Sequence, residues 1–465
     1  MAYRCGDRYQ QTLLPPSIED YVSVNDPVRA YDKFIETLNL EELGIKHEPH
    51  RVGNSRYEPK AMLKVLVYGC SYGWHSSRKL ERALLHNLSF IWLAGGLKPD
   101  HKTIAEFRRK NKNALGKLIR QCARLCLKMD LIEGNVLFLD GTKIRANASI
   151  DKNYAEEYYK KLDKRIEQEL EKAEQVDEAE SGQGSYVRVK DLQGKIKKVL
   201  QELNGNSKTK NGKDRKRNIT DTDSRQMKES QGYNVQNVVD EKHGLIVNTQ
   251  AESDETDAGQ FAKQIKTAQQ VTNKKSKVSC ADAGYANTKE LAKIDKQKTK
   301  VIVPSQRQAL HGEERPFSKS EFIYDKKKDC YFCPAGKKLT RLYNDKEKID
   351  YRITKSKVCK QCDFFGVCTQ AIEGRKIVRI KQERLKEKLE KQYKQNQHIY
   401  IKRKTIAERP FAYIKHIIGK RNFLTRGKTG VQAEISLAST CFNITRMLTI
   451  LGGTQKFKEA MATMG

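Results

Sequence analysis

Apolar and polar positions change period several times along this chain. After a lead-in with Pro15-Pro16 and an amphipathic stretch from Val28 to Leu40, residues 56–130 carry apolar side chains at helical spacing. Met62, Leu63, Val65, Leu66 and Val67 run into Ser76-Ser77, an expected N-cap for a helix over Arg78 to Leu85. Thr103 is expected to cap a helix ending in Arg108, Arg109 and Lys110, and Leu118 to Leu127 predict one helix from Ala114 to Met129. The period then breaks. Val136-Leu-Phe-Leu-Asp140-Gly-Thr-Lys143 is a short apolar run ending in an acid and a glycine. It predicts a buried strand and turn, with Asp140 at the carboxyl end, where open α/β sheets place their sites. Arg145 and Asn147 follow at once, so the acid is expected beside basic and amide groups.

From Asn153 to about Arg217 the chain is charged and poor in apolar residues, which predicts a solvated helical hairpin or loop broken at Ser181 to Ser185. Tyr233, Val235 and Val239 alternate, His243-Gly244 turns, and Leu245 to Thr249 returns as an antiparallel hairpin. A helix is expected from Asp254 to Thr267. Lys277-Val-Ser-Cys-Ala-Asp282-Ala-Gly-Tyr285 repeats the first device: short strand, acid, glycine turn. A helix from Thr288 to Ile294 and a strand from Val301 to Val303 follow. Gln382 to Gln395 reads as a charged helix with Glu383, Glu387 and Glu390 in solvent, and Val431 to Leu451 as an apolar helix packed on the sheet.

Length and charge narrow the class. A chain of 465 residues suggests two to four domains. Their expected limits are 1–130, N-terminal and helical; 131–310, the first part of an α/β core with the charged insertion at about 152–217; 311–380, cysteine-rich; and 381–465, the C-terminal helices of the core. Lys and Arg total 90 against 58 Asp and Glu, a formal net charge of +32. An excess that large favours a polyanion, nucleic acid first. No stretch approaches the roughly 18 apolar residues of a membrane span, and the first residues lack an apolar h-region, so a cytoplasmic protein without a membrane partner is expected. The N-terminal helices read equally as a DNA-binding module or as a cap on the core.

Two carboxylates on neighbouring strand ends repel unless a cation lies between them. Mg²⁺ takes oxygen ligands and couples to phosphate oxygens. Glu408 is the best third acid, and Lys415, two helical turns on, points the same way. Pro410 suggests that Glu408 sits near the first turn of its helix. The plainer reading is two turn aspartates and a surface Glu–Lys pair. Cys330-x-x-Cys333 and Cys359-x-x-Cys362 can supply four thiolates to a structural Zn²⁺, with Cys368 a competing ligand and unliganded thiols the alternative.

Leu-Asp-Gly-Thr around Asp140, Ala-Asp-Ala-Gly-Tyr around Asp282 and Glu-Arg-Pro-Phe-x-x-x-Lys from Glu408 to Lys415 together resemble the DDE transposases of bacterial insertion sequences. Residues 99–109 are similar to the end of that family's N-terminal helical domain, and Gly-Tyr-Asn-Val-Gln (232–236) to its second core strand. The resemblance implies an α/β fold with an RNase H-like mixed-sheet core. Asp140, Asp282 and Glu408 would hold two Mg²⁺ (or Mn²⁺) ions, with a cysteine-rich insertion before the Glu. It implies cleavage at the element's terminal inverted repeats, strand transfer into target DNA, and a homodimer joining two ends. Lys143, Arg145, Arg108, Arg109, Arg403, Lys404, Arg409 and Lys415 are the expected DNA contacts. The family often has a Tyr and an Arg three residues apart, with the Arg four before the Glu. Here Tyr400 and Arg403 keep their spacing, but Arg403 lies five before Glu408 and Lys404 takes the expected place. A metal-dependent nuclease without strand transfer, or a non-catalytic zinc-containing DNA-binding protein, remain open alternatives.

Overall fold

The computed structural model describes residues 17–46, 56–175, 183–209, 212–227, 230–310, 316–344, 348–380, 382–419 and 422–463. The expectations placed on Pro15-Pro16 and on Ser181-Gly182 lie outside these. In chain order the helices used below are α1 (Val28–Glu36), α2 (Pro59–Ser71), α3 (Ser77–His86), α4 (His101–Lys110), α5 (Leu118–Lys128), α6 (Glu156–Gln175), α7 (Gln183–Leu203), α8 (Phe261–Thr272), α9 (Thr288–Asp295), α10 (Glu383–Gln395), α11 (Gln397–Ile418) and α12 (Lys428–Leu451). The strands are β1 (Val136–Arg145), β2 (Gln231–Asp240), β3 (Ile246–Glu252), β4 (Val278–Cys280), β5 (Lys300–Ile302), β6 (Ile323–Asp325), β7 (Cys330–Phe332), β8 (Lys338–Asn344), β9 (Lys348–Ile353) and β10 (Lys376–Ile380). The chain is mixed α/β, with antiparallel and parallel strand pairs. It divides into two compact units: residues 1–257, 263–276 and 403–465, and residues 258–262 and 277–402. The N-terminal helices, β1 to β3 and the C-terminal helices therefore share one unit, and the expected 131–310 segment is split.

In the first unit β2 is buried along its whole length and pairs antiparallel with β1 and β3. Strand β1 does not turn after Asp140. Gly141 to Arg145 continue the ladder, Thr142 opposite Val235 and Ile144 opposite Tyr233. The β-branched Thr142 and Ile144 suit a pleated surface, and this continuous pairing outweighs the local turn preference of Asp-Gly. Gly232 is fixed by close approach, since a Cβ there would stand 2.7 Å from the Ile144 carbonyl oxygen.

Helix α12 packs against β3, α2 and α5. Two of its amides replace a neighbouring strand. Asn443 accepts the Ile246 N–H at 2.9 Å and donates to the Ile246 carbonyl at 2.8 Å; Gln432 accepts the Ala251 N–H at 2.8 Å and donates to the Thr249 carbonyl at 3.1 Å. Buried backbone groups along β3 are thereby satisfied from a helix. The expected helix from Ala114 to Met129 is interrupted at Gly116 and Lys117, where a Cβ on Gly116 would meet the Gln432 side chain at 3.2 Å. Asp100, not Thr103, caps α4, its carboxylate accepting the Thr103 N–H at 2.7 Å. The charged insertion is a helical hairpin of α6 and α7, closed over Tyr159, Ile166, Leu170, Ile196, Val199 and Leu203. The helix expected from Asp254 begins only at Phe261, because Asp257 is held by the Asn234 and Gln236 amides.

The second unit holds two arrangements. Strands β4 and β5 pair in parallel with α9 between them in the chain. Strands β6 to β10 form an antiparallel meander over a core of Phe322, Tyr331, Leu339, Tyr351 and Ile377. Glu383, expected in solvent, is buried; it accepts the Ile380 N–H at 2.9 Å and pairs with Lys319. Among the described residues no single helix is long and apolar enough to cross a membrane.

Candidate active site and cysteine cluster

Asp140 lies in the middle of β1, opposite Asn237 of β2. Its side chain is 13% exposed. One carboxylate oxygen accepts the Gly141 N–H at 2.9 Å, and the other stands 3.4 Å from the Arg403 guanidinium, itself 11% exposed. Strand alternation puts Lys143 and Arg145 on the face opposite Asp140. The expected cluster of acid and bases around Asp140 therefore does not form; its cationic partner is Arg403, brought from far along the chain.

Helix α11 explains that contact. Arg403, Ala407, Pro410 and Ile414 fall on one stripe at about 100° per residue, and the last three are buried. Arg403 extends the inward stripe and reaches Asp140, where it is an ion-pair partner with its side chain 11% exposed. Lys404, Glu408 and Lys415 share another stripe, and all three are exposed, as is Arg409. Glu408 lies about 140° round the helix from Arg403. Pro410 is interior to α11, thirteen residues past its start, so Glu408 is mid-helix and not in the first turn.

Asp282 follows β4 as expected and caps a short 3₁₀ turn, its carboxylate accepting the Gly284 N–H at 2.8 Å. A carboxylate has about four lone-pair sites, so this cap leaves capacity for a metal. Among the described residues, no three His, Cys, Asp or Glu side chains stand as a group that could hold an ion.

Arg108 also departs from expectation. It is half-buried and donates to the His75 carbonyl at 2.7 Å, and burial pulls its guanidinium below the ordinary value against the pull of Glu434. Arg109 and Lys110 beside it are exposed. The cysteines separate as well. Cys330 is buried on β7 and alternates away from Tyr331, whose side belongs to the meander core. Cys333 and Cys368 pack against that core. Burial raises the Cys368 thiol, Arg375 lowers it, and Cys333, Cys359 and Cys362 add to the rise.

Strand β2 also carries three buried amides. Asn234, Gln236 and Asn237 are at most 1% exposed. Asn237, across from Asp140, accepts the Thr249 hydroxyl at 2.5 Å, and its Nδ2 is buried without a hydrogen-bond partner. Burying amides is costly. Of the three, in Tyr-Asn-Val-Gln-Asn (233–237), only Asn237 shares the face of Asp140; Asn234 and Gln236 hold Asp257.

Comparison with protein families finds a Transposase domain over residues 16–110 and a Transposase DDE domain over residues 332–448. The first spans α1 to α4; the second runs from β7 through Glu408 into α12; Asp140 and Asp282 lie outside both. No curated protein matches. Among solved structures the chain is similar to the piggyBac transposase in a synaptic complex with hairpin DNA, at 9% identity and a TM-score of 0.31, over 95% of this chain and 80% of that one. A likeness of that size carries no argument. The family matches do: two transposase domains in chain order, the second a DDE domain containing the expected Glu408 and Lys415, support a DDE transposase of the insertion-sequence type, an enzyme acting as a DNA transposase.

Proposed function

We propose that the chain cuts DNA at the ends of its element and joins the freed 3′-OH to target DNA, with Asp140, Asp282 and Glu408 as the metal-holding acids of an RNase H-like core. The observation that carries the reading is the DDE-domain match across the Glu408-bearing helix, taken with a largely buried strand carboxylate at Asp140 that already holds a cation. The donor set fits Mg²⁺, since carboxylates supply only oxygen ligands. Bound there, the ions supply charge stabilisation at the reacting phosphate. Arg403, 3.4 Å from the Asp140 carboxylate, holds that side chain in place and would have to give way to an ion bound there. Lys404, Arg409 and Lys415 lie on the exposed side of α11 with Glu408 and hold phosphates. The cysteine-bearing meander is the insertion between the second Asp and the Glu, and its metal is a structural Zn²⁺. The protein acts as a homodimer on the two ends.

A strand-transfer assay with Mg²⁺ and DNA bearing the flanking terminal repeats tests this. Joined products are expected from the wild type, and none from Asp140→Ala, which retains DNA binding. Cleavage without joining would replace the reading by a nuclease. Unchanged activity in Asp140→Ala would remove the acid from the site.

A further inference from the structure

Four thiols of the second unit line one small cavity. Cys333, Cys359, Cys362 and Cys368 enclose about 30 Å³ together with apolar side chains such as Ile353 and Phe364. A water needs roughly 10–15 Å³, so an ion fits. No carboxylate or imidazole is among the described residues that line it.

The surrounding backbone is shaped around the sulfurs. The Lys337 N–H points at Cys333 Sγ at 3.2 Å, across a turn in which the Cys333 N–H donates to the Lys337 carbonyl at 2.9 Å and Gly336 takes φ +72°. The Arg375 N–H faces Cys359 Sγ at 3.5 Å. Gly374, at φ +84°, lets the chain pass this close: a Cβ there would stand 3.1 Å from that sulfur and 2.8 Å from Ile353. The Arg375 guanidinium braces the loop, donating to the Cys368 carbonyl at 2.9 Å and the Phe317 carbonyl at 3.0 Å.

From this arrangement we propose that Cys333, Cys359, Cys362 and Cys368 bind one structural Zn²⁺, and that Cys330 takes no part. Four thiolates in a tetrahedron are one of the ligand sets of closed structural zinc sites. One ligand comes from the β7–β8 turn and three from residues 359–368, so the ion ties the meander to the loop before β10. Among the described residues no three His, Cys, Asp or Glu side chains stand as an ion-holding group; zinc binding would draw the four sulfurs together, each thiol proton passing to solvent as its Zn–S bond forms. Cys330 is excluded because strand alternation turns it from the Tyr331 face, against which Cys333 and Cys368 pack, and it is not among the described residues that line the cavity. The proposal deepens the zinc part of the reading above and does not depend on the acids.

The test uses the full chain. Elemental analysis of the purified protein is expected to give one zinc per chain. Ser at residue 333, 359, 362 or 368 (C333S, C359S, C362S, C368S) abolishes it, and Cys330→Ala retains it. Titration of the chelator-stripped wild type with Co²⁺ gives the visible spectrum of a tetrahedral tetrathiolate, a readout that needs no variant to fold. A wild type free of zinc that also fails to bind Co²⁺ would overturn the site. So would Cys330→Ala losing zinc while its far-UV spectrum matches the wild type. Strand transfer is not read in this experiment, so its failure and that of the transposition reading are distinguishable.

Discussion

Arg403 and Asp140 are each largely buried, so each is costly to leave without the other. Removing one member of such a pair strands a charge in a poorly solvated place, whereas removing both charges can be nearly neutral. Arg403→Ala is therefore expected to cost about 2–4 kcal/mol in urea unfolding, discounted for the residual exposure of both side chains. The double variant Asp140→Asn with Arg403→Met is expected to recover most of that loss. Equal losses in the single and double variants would show that the pair contributes through shape and not through charge. The same residue shows why one position in a motif matters. One step along α11 exchanges the inward stripe of Arg403 for the exposed stripe of Lys404, and with it a carboxylate partner for solvent.

At the scale of elements, β3 depends on α12 for what a further strand would otherwise supply. Asn443 is fully buried and satisfies both backbone groups of Ile246. A hydrogen bond contributes about 1 kcal/mol net, but a buried group left unpaired costs roughly 1–3 kcal/mol. Asn443→Ala strands two such groups and is expected to destabilise by about 3–5 kcal/mol in chemical denaturation. Asn443→Leu, close in volume, should be no better, because packing does not replace the lost partners. A loss under about 1 kcal/mol would mean that water reaches Ile246 in place of the amide.

For the whole molecule the governing quantity is the charge of +32. Each phosphate neutralised by a Lys or Arg releases counterions, and the logarithm of affinity falls with the logarithm of salt concentration at about −0.9 per contact. Binding to duplex DNA of random sequence is expected to weaken by about 10³ or more between 50 and 200 mM salt, as for six or more contacts. Lys404→Ala and Lys415→Ala should each flatten the slope by about one, whereas Arg108→Ala, whose guanidinium is held by His75, should leave it unchanged. A fluorescence-anisotropy salt series reads all three.

The residues alone fixed whatever depends on neighbours in the chain. The hairpin of β2 and β3, the α6–α7 insertion, α9, α10 and the apolar α12 were legible because hydrophobic period and turn residues act locally. The transposase family was legible because its motifs are short strings in a set order. Tertiary contact decided the rest. That β1 runs on past Asp140 follows from β2 offering partners as far as Arg145. That Arg403 meets Asp140, Arg108 turns inward and Glu383 is buried follows from packing between remote segments. Cys330 and Cys333 look equivalent in a Cys-x-x-Cys string, yet one ends up in a strand of the meander and the other on a cavity wall, because alternation in a strand assigns sides only once the sheet exists.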